Sequence, residues 1–472
     1  MSSMSTTATW RGESQAMATK HLAFIGGILF SCILIARLVS SRSKHRTTYL
    51  TITNKNGEKL PEIDIRGKKF KSSGELSRKI KDIAGPSPCL VRTGPRQELV
   101  IAKAQHVQDL YGRDYQISTS YNVSLSGSPF GYVMPGATAS PAGQDCGKTR
   151  KHFKPILSLE AVSQRISRFA REIQTWVKTL DVGFVDSRQT FDMIMFRMMY
   201  LHLYEDAYDD RRYWALLQLY LLHQKAVETT DSSAKLAKKS YKEWREFSRS
   251  IVDLAQKGRW KCPVEVIYRG VSASDMTEEA YLSTLSEIMF NNVESTGQVF
   301  STIFTKLAAN RTIQDALRLE IQVNEDARDI YLHRSDTLLH RVLQESLRLS
   351  PAIGFSTPDL TRGTRTIAGC LIPAQTPVVI DAHRVNTDPV IWGPDCDAWD
   401  PDRFLRVDAN SLRCGYIPYS ASAASEQWLG KDAAEVIFKI TIVAIVEQIS
   451  LEPVGDGEEQ GSGTDLNMRR LK

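Results

Sequence analysis

Apolar positions recur at helical spacing through most of the chain. RISRFAREIQTWVKTL, FDMIMFRMMYLHLYEDAY and YWALLQLYLLHQKAVETT each place hydrophobic residues every three to four positions, the period of an amphipathic helix. Residues 145–330 are therefore predicted to be mostly helical. Two stretches depart from this pattern. From Pro88 to Gly112 the chain reads as strand, turn, strand, helix: two β-branched runs are parted by Gly94 and Pro95, and helical spacing follows. Residues 350–415 are rich in turns and β-type runs such as TRTIAGCLIPAQTPVVI. A last, strongly apolar helix is expected from Ala433 to Ile449. The fold class predicted is α+β and predominantly α-helical, with a helical part and a smaller β-rich part.

The ends of the chain are patterned differently. HLAFIGGILFSCILIARLVS, from His21 to Ser40, is apolar except near Arg37, and Arg42, Lys44, His45 and Arg46 follow it. That length suits a single membrane span, and the basic flank predicts that the bulk of the chain is cytosolic. A cleavable signal peptide is the alternative, but no small-residue cleavage site follows the run. The organisation expected is a polar tail over residues 1–20, the anchor over 21–40, a polar linker over 41–66, one domain over 67–455 and a frayed polar tail over 456–472.

Composition adds limits. The chain has 472 residues, 42% of them apolar and 24% charged, enough for a large core. A net charge of +6 is small for this length and gives no reason to expect nucleic acid as a partner. Cys32, Cys89, Cys146, Cys262, Cys370, Cys396 and Cys414 are scattered, with no CxxC pair, as in reduced cytosolic proteins rather than disulfide or zinc frameworks. Asn122 and Asn310 head N-x-S/T sequons. With cytosolic topology both stay unmodified.

Three patterns carry candidate chemistry. Glu345 and Arg348 stand at i, i+3 on an apolar helix, LLHRVLQESLRL, so they share a face and can pair. Alone, that pair is common. Its company is WDPDRFL, where Arg403 offers a second guanidinium to Glu345 in a rigid carboxylate network. The second pattern lies between Glu278 and Asn310. At 1.5 Å per residue this is a helix of roughly 50 Å, and Asn291-Asn292-Val293-Glu294-Ser295-Thr296-Gly297 interrupts its apolar face. A kink, or the join of two shorter helices, is the other way to read that interruption. The third is a long loop rich in Gly, Ser and Pro from Tyr121 to Gln144, a length that is usually functional inside a compact domain.

In this order the patterns resemble the cytochrome P-450 family. Glu345 and Arg348, then Pro401-Asp402-Arg403-Phe404, then a loop at 418–435 are similar to its Glu-x-x-Arg helix, its Pro-Glu-Arg-Phe-like motif and its haem-ligand loop. The resemblance runs from about Gly67 to Pro453, and FGYVMPG and GQDCGKTRKHFKPILS are similar to fungal members in particular. It implies the cytochrome P-450 fold, haem as cofactor, and a monooxygenase acting on a lipophilic small molecule. It also implies electrons from an NADPH-dependent membrane reductase, contact with membrane lipid, an endoplasmic reticulum location with the catalytic domain cytosolic, and a place in fungal secondary metabolism. By the same resemblance, Glu345, Arg348 and Arg403 form a structural lock. Glu294 and Thr296 form an acid–alcohol pair for proton delivery. Arg150, His383 and Arg384 contact haem propionates, with Cys146 where the family usually has Trp.

The ligand loop departs from the family pattern. Counted back from Gly430 and Ala434, the position of the axial Cys falls on Trp428. Counted forward from Tyr419, it falls on Glu426. Trp has no basic nitrogen to offer, and Glu426 or Ser425 would ligate through oxygen without the electron push of a thiolate. Cys414 is the nearest thiol, twelve to fourteen residues early. Two explanations stand: the coding sequence is misread across SASAAS, or thiolate ligation has been lost. In the second case the chain is a haem-poor or haem-free protein of the same fold, either a ligand binder, a non-oxidative catalyst or an inactive paralogue.

Overall fold

The computed structural model describes residues 51–471, apart from 55, 67, 69, 71, 93–96, 113–143, 229–232, 259, 292, 357, 362, 420–428 and 455–464. The expected tail and anchor over 1–40, Asn122, most of the 121–144 loop, and Glu426 and Trp428 lie outside the described residues. So do the side chains of Cys146 and Glu294.

Helices form where the spacing calls for them. Ile166–Thr179 buries Ile166, Phe169, Ile173 and Val177, a single stripe. Ser187–Tyr204 and Asp210–Glu228 follow. The long apolar segment is not one helix: Glu278–Ser286 passes through a π-helical turn, Glu287–Asn291, into Val293–Ala309. That last helix packs along Ser187–Tyr204. A Cβ on Gly297 would fall 1.8 Å from Asp192 Oδ1 and 3.0 Å from its Cα, so only glycine permits this approach. Lys431–Gln448 is apolar nearly all round and is buried accordingly. Its one buried cation, Lys439, donates to the carbonyls of Leu332 at 2.9 Å and Arg334 at 3.0 Å, satisfying the end of the Arg328–His333 helix.

The β-rich part is a five-stranded mixed sheet. Its strands run in the order Glu62–Asp64, Cys89–Arg92, Gln97–Ile101, Pro377–Ile380, Asp359–Leu360. Cys89–Arg92 pairs antiparallel with Gln97–Ile101, which pairs parallel with Pro377–Ile380. The strand–turn–strand–helix pattern therefore forms, with Ala104–Tyr111 as its helix. A hairpin of Arg365–Ile367 and Cys370–Ile372 stands apart.

Two boundaries differ from the sequence expectation. The linker is already part of the domain from Thr51: Ile52, Leu60, Ile63 and Ile65 are buried, and Glu62–Asp64 pairs parallel with Cys89–Arg92. The C-terminal tail does not fray along its length. Asp465–Arg470 is the middle strand of a three-stranded antiparallel sheet, between Gly183–Asp186 and Ile449–Pro453. Leu466 and Met468, two residues apart, both point into the core. That period-two signal is short enough to be masked by the polar residues around it.

Candidate active site

The site is framed by two helices and held by a buried ion network. The helix Leu338–Leu349 starts where Thr337 accepts the His340 amide at 3.1 Å. From its last turn Arg348 makes a two-pronged contact with Glu345, Nε to Oε2 at 2.7 Å and Nη2 to Oε1 at 2.8 Å. The same guanidinium donates to the carbonyls of Asn386 at 3.0 Å, Cys396 at 2.5 Å and Ala398 at 2.9 Å. Glu345 also accepts the Asp400 amide at 2.9 Å. Both side chains are fully buried, and a buried ion pair is tolerated only when its remaining donors and lone pairs are satisfied in this way.

Arg403 joins the network less directly than the sequence suggests. Its Nε lies 3.6 Å from Glu345 Oε1, beyond hydrogen-bonding distance. Its terminal nitrogens instead grip Asp395, at 3.0 Å each, and the Trp392 carbonyl at 2.7 Å. The Arg403 hydrogen bond holds the Asp395 carboxyl below its ordinary range. Asp395 is a member of the lock that sequence reading missed, since WGPDCDAWDPD offers four aspartates of similar appearance.

The helix Val293–Ala309 carries Thr296, which is fully buried and donates its hydroxyl to the Val293 carbonyl at 3.1 Å. Arg150, on Gln144–Phe153, is half-buried. Its charge acts on Glu287 of the π-helical turn. Glu287 was also missed, although it is the charged residue that breaks the apolar run LSEIMF.

His383 and Arg384 both contact the Ser73–Ala84 helix or its C-cap. His383 Nε2 lies 2.9 Å from Ser73 Oγ, and burial pushes its imidazole down to about 4. Arg384 donates to the Gly85 carbonyl. Between them Asp381 accepts Ser77 Oγ at 2.9 and 2.8 Å. All three therefore fasten the helix Ser73–Ala84 to the turn after Pro377–Ile380. Sequence shows that two basic groups are present but not which neighbour they face.

The flanks of the ligand loop are in place. The Pro418 carbonyl accepts the Ala352 amide at 2.9 Å, Tyr419 is buried, and Gly430 caps the Lys431–Gln448 helix. Burial raises the carboxyl of Glu435 on that helix, with Lys431 and Lys439 opposing. Asn310, the second sequon, donates its amide to the Lys306 carbonyl at 2.8 Å at the start of Arg311–Val323.

The family model for cytochrome P-450 matches residues 193–464, more than half of the chain. The chain belongs to the cytochrome P-450 family. It is similar to the cytochrome P-450 monooxygenase opdB of Penicillium oxalicum, 39% identical over 97% of each chain. It is also similar to the monooxygenase apdB of Emericella nidulans, 32% identical over 91% of this chain and 93% of that one. Among solved structures, a zebra fish cytochrome P-450 with progesterone matches 84% of this chain and 97% of its own, at a TM-score of 0.64 and 16% identity. That likeness shows the fold.

This family membership makes the chain an oxidoreductase of the monooxygenase class, with haem as the cofactor. The axial donor of that class is not found. No cysteine follows Cys414 in the sequence. Among the described residues Cys89, Cys262, Cys370 and Cys396 are buried and Cys414 is half-buried. Burial raises every one of these thiols, Cys89 and Cys262 to about 12, so none is poised as a thiolate. No cluster of three metal-ligating side chains stands among the described residues. The described residues do not make a haem–thiolate site.

Proposed function

We propose that this chain is a membrane-anchored oxidoreductase of fungal secondary metabolism that acts on a lipophilic small molecule. The observation that carries this reading is the 39% identity to a fungal monooxygenase across 97% of both chains. Anchoring rests on the apolar run His21 to Ser40 and its basic flank. That run lies outside the described residues, and among those described no helix is long and apolar enough to cross a membrane. The flank orients the catalytic part toward the cytosol at the endoplasmic reticulum, where an NADPH-dependent membrane reductase supplies electrons.

The roles proposed for this chain's own residues follow the geometry. Glu345, Arg348, Arg403 and Asp395 hold the loop Asn386–Ala398 against the Leu338–Leu349 helix. Thr296, with Glu294 two residues before it, handles protons above the substrate. Arg150 supplies positive charge at the edge of the site.

A second reading has a specific observation behind it. With no cysteine after Cys414, the chain as it stands is a haem-poor or haem-free member of the fold that binds a small molecule without oxidising it. The experiment is optical. The full chain is expressed in membranes, reduced and exposed to carbon monoxide. A haem absorption that responds to carbon monoxide is expected for the oxidoreductase. A polypeptide that purifies folded and free of haem overturns that reading and supports the second. Alkaline extraction tests the anchor separately: release of the full chain from membranes contradicts it.

A further inference from the structure

Positive charge is concentrated in one stretch of the chain. Residues 41–81 hold twelve Lys or Arg against four Asp or Glu, while the whole chain holds 60 against 54. That stretch therefore carries +8 and all other residues together −2. A face that is only solvated mixes both signs, whereas a charge asymmetry of this kind points to an anionic partner. The described part of the stretch runs from Thr51 through Glu62–Asp64, an edge strand of the five-stranded sheet, into the helix Ser73–Ala84. This helix buries Leu76, Ser77, Ile80 and Ala84. The rest of its circumference exposes Arg78, Lys79 and Lys81, with Asp82 as the exposed acid. Arg66 and Lys68, between strand and helix, are exposed as well. Arg66 pairs with Asp64, but Lys68, Arg78, Lys79 and Lys81 form no ion pair among the described residues. Ile83, one turn beyond Lys79, is half exposed beside them.

We infer that this face docks on the anionic lipid headgroups of the membrane that holds the chain. The inference rests on the anchoring proposed above. Residues 41–50 join the apolar run to Thr51, and a connection of that length spans at most about 35 Å. The start of the domain therefore stays within that distance of the bilayer. The negative surface potential of the cytoplasmic leaflet attracts Lys and Arg held close to it. Their long stems carry the charged heads to the lipid phosphates while the helix lies on the surface. Each such cation favours contact about fivefold. Lys68, Arg78, Lys79 and Lys81, none of them spent on a carboxylate of the protein, favour it together by several hundredfold, on the order of 500. Ile83 is the apolar side chain of the same face and enters the headgroup layer between them.

The test is a lysine footprint on the full chain reconstituted into two bilayers, one of phosphatidylcholine and one of phosphatidylcholine mixed with phosphatidylserine. An acetylating reagent is added, and modification is read residue by residue by mass spectrometry. Lys79 and Lys81 are expected to react about tenfold more slowly in the anionic bilayer than in the neutral one. Lys257, exposed in the last turn of the helix Ser233–Gly258, is expected to react alike in both. Salt at about 1 M, where screening acts within about 3 Å, is expected to restore modification of Lys79. Arg78→Glu combined with Lys81→Glu replaces two attractions by two repulsions and is expected to erase the protection of Lys79. Equal modification of Lys79 in both bilayers, in a chain that floats with them, overturns lipid as the partner in favour of an acidic protein and leaves the anchor standing. Protection that survives salt and the charge reversal, or that Lys257 shares, overturns the assignment of this face. A chain that floats with neither bilayer overturns the anchor and the docking together.

Discussion

Arg348 Nε lies 2.7 Å from Glu345 Oε2, and neither side chain has any exposure to solvent. Five hydrogen bonds from one guanidinium tie a helix end to the Asn386, Cys396 and Ala398 carbonyls and to Glu345. The arrangement joins the helical part of the molecule to the stretch that leads into the ligand loop.

Glu345→Ala should therefore destabilise the fold by about 3–5 kcal/mol, the usual result of leaving one member of a buried ion pair alone. Arg348→Lys should recover only part of the loss seen in Arg348→Ala. A compact ammonium cannot reach three carbonyls and a carboxylate from one position. Denaturation midpoints of the purified variants measure both effects, and an unchanged midpoint for Glu345→Ala contradicts the lock.

That network also shows how far sequence reading reaches. Glu345 and Arg348 were legible because their pairing is local: three residues on a helix determine the geometry. Arg403 was legible as a motif but not in its contacts, because Asp395 competes for it across a turn whose shape no periodicity encodes. The contacts of His383 and Arg384 were not legible for the same reason. Their partners, Ser73 and Gly85, are some three hundred positions away, and a cation in a turn does not announce which neighbour it faces. Glu287 was passed over because a lone acid in an apolar run resembles a surface residue until its neighbours are seen to be buried.

The strand Asp465–Arg470 makes a prediction about the C-terminus. It pairs on both sides, with Gly183–Asp186 and with Ile449–Pro453, and Leu466 and Met468 are fully buried. Leu466→Ala should cost about 2–5 kcal/mol, as for other large-to-small changes in a core. Asn467→Ala, on the strand's less buried face, should change little. Removing residues 465–472 should yield insoluble protein. A truncated chain with a wild-type thermal midpoint would show the strand to be dispensable.

Acid should destabilise the fold well above the usual carboxylate range. Burial lowers His106, His202, His340 and His383 each to about 4, against an ordinary value of about 6.5. Their folded pKa lies below the unfolded one. As pH falls from about 6.5 to about 4, the unfolded chain takes up protons that the folded chain refuses, and stability is lost through that window. Asp381 works in the opposite sense. Burial raises it to about 6, so its contribution is present at low pH and is lost as pH rises through about 6. Glu287 and Glu435, also raised by burial, act in the same sense as Asp381, and the four histidines outnumber these three carboxyls. The urea midpoint should drop between pH 7 and pH 5, and His202→Gln should make that drop shallower. His202 is the choice because its ring sits in the core 5.9 Å from Phe169. A midpoint flat across this range would be inconsistent with neutral buried histidines.

Cys414→Ala should leave the optical spectrum of the reduced, carbon monoxide-treated protein unchanged. Cys414 is the last cysteine in the chain and so the obvious substitute for a missing axial thiolate. Its position argues against that role. It stands on the short helix Ala409–Gly415, which packs on Ala104–Tyr111. The Gly415 carbonyl accepts the Trp392 indole N–H at 3.0 Å, and a Cβ on Gly415 would meet Ile391 at 2.9 Å. The helix is thus pinned on the side of the molecule that carries the lock. Between Cys414 and the loop, the Ile417 amide is held by Asn386 Oδ1 at 2.6 Å and the Pro418 carbonyl by the Ala352 amide at 2.9 Å. Moving the thiol toward Lys431–Gln448 would break these contacts, and burial already raises its pKa away from the thiolate form. A spectral change in Cys414→Ala, with the denaturation midpoint unaltered, would show instead that this segment rearranges to bring the thiol to the iron.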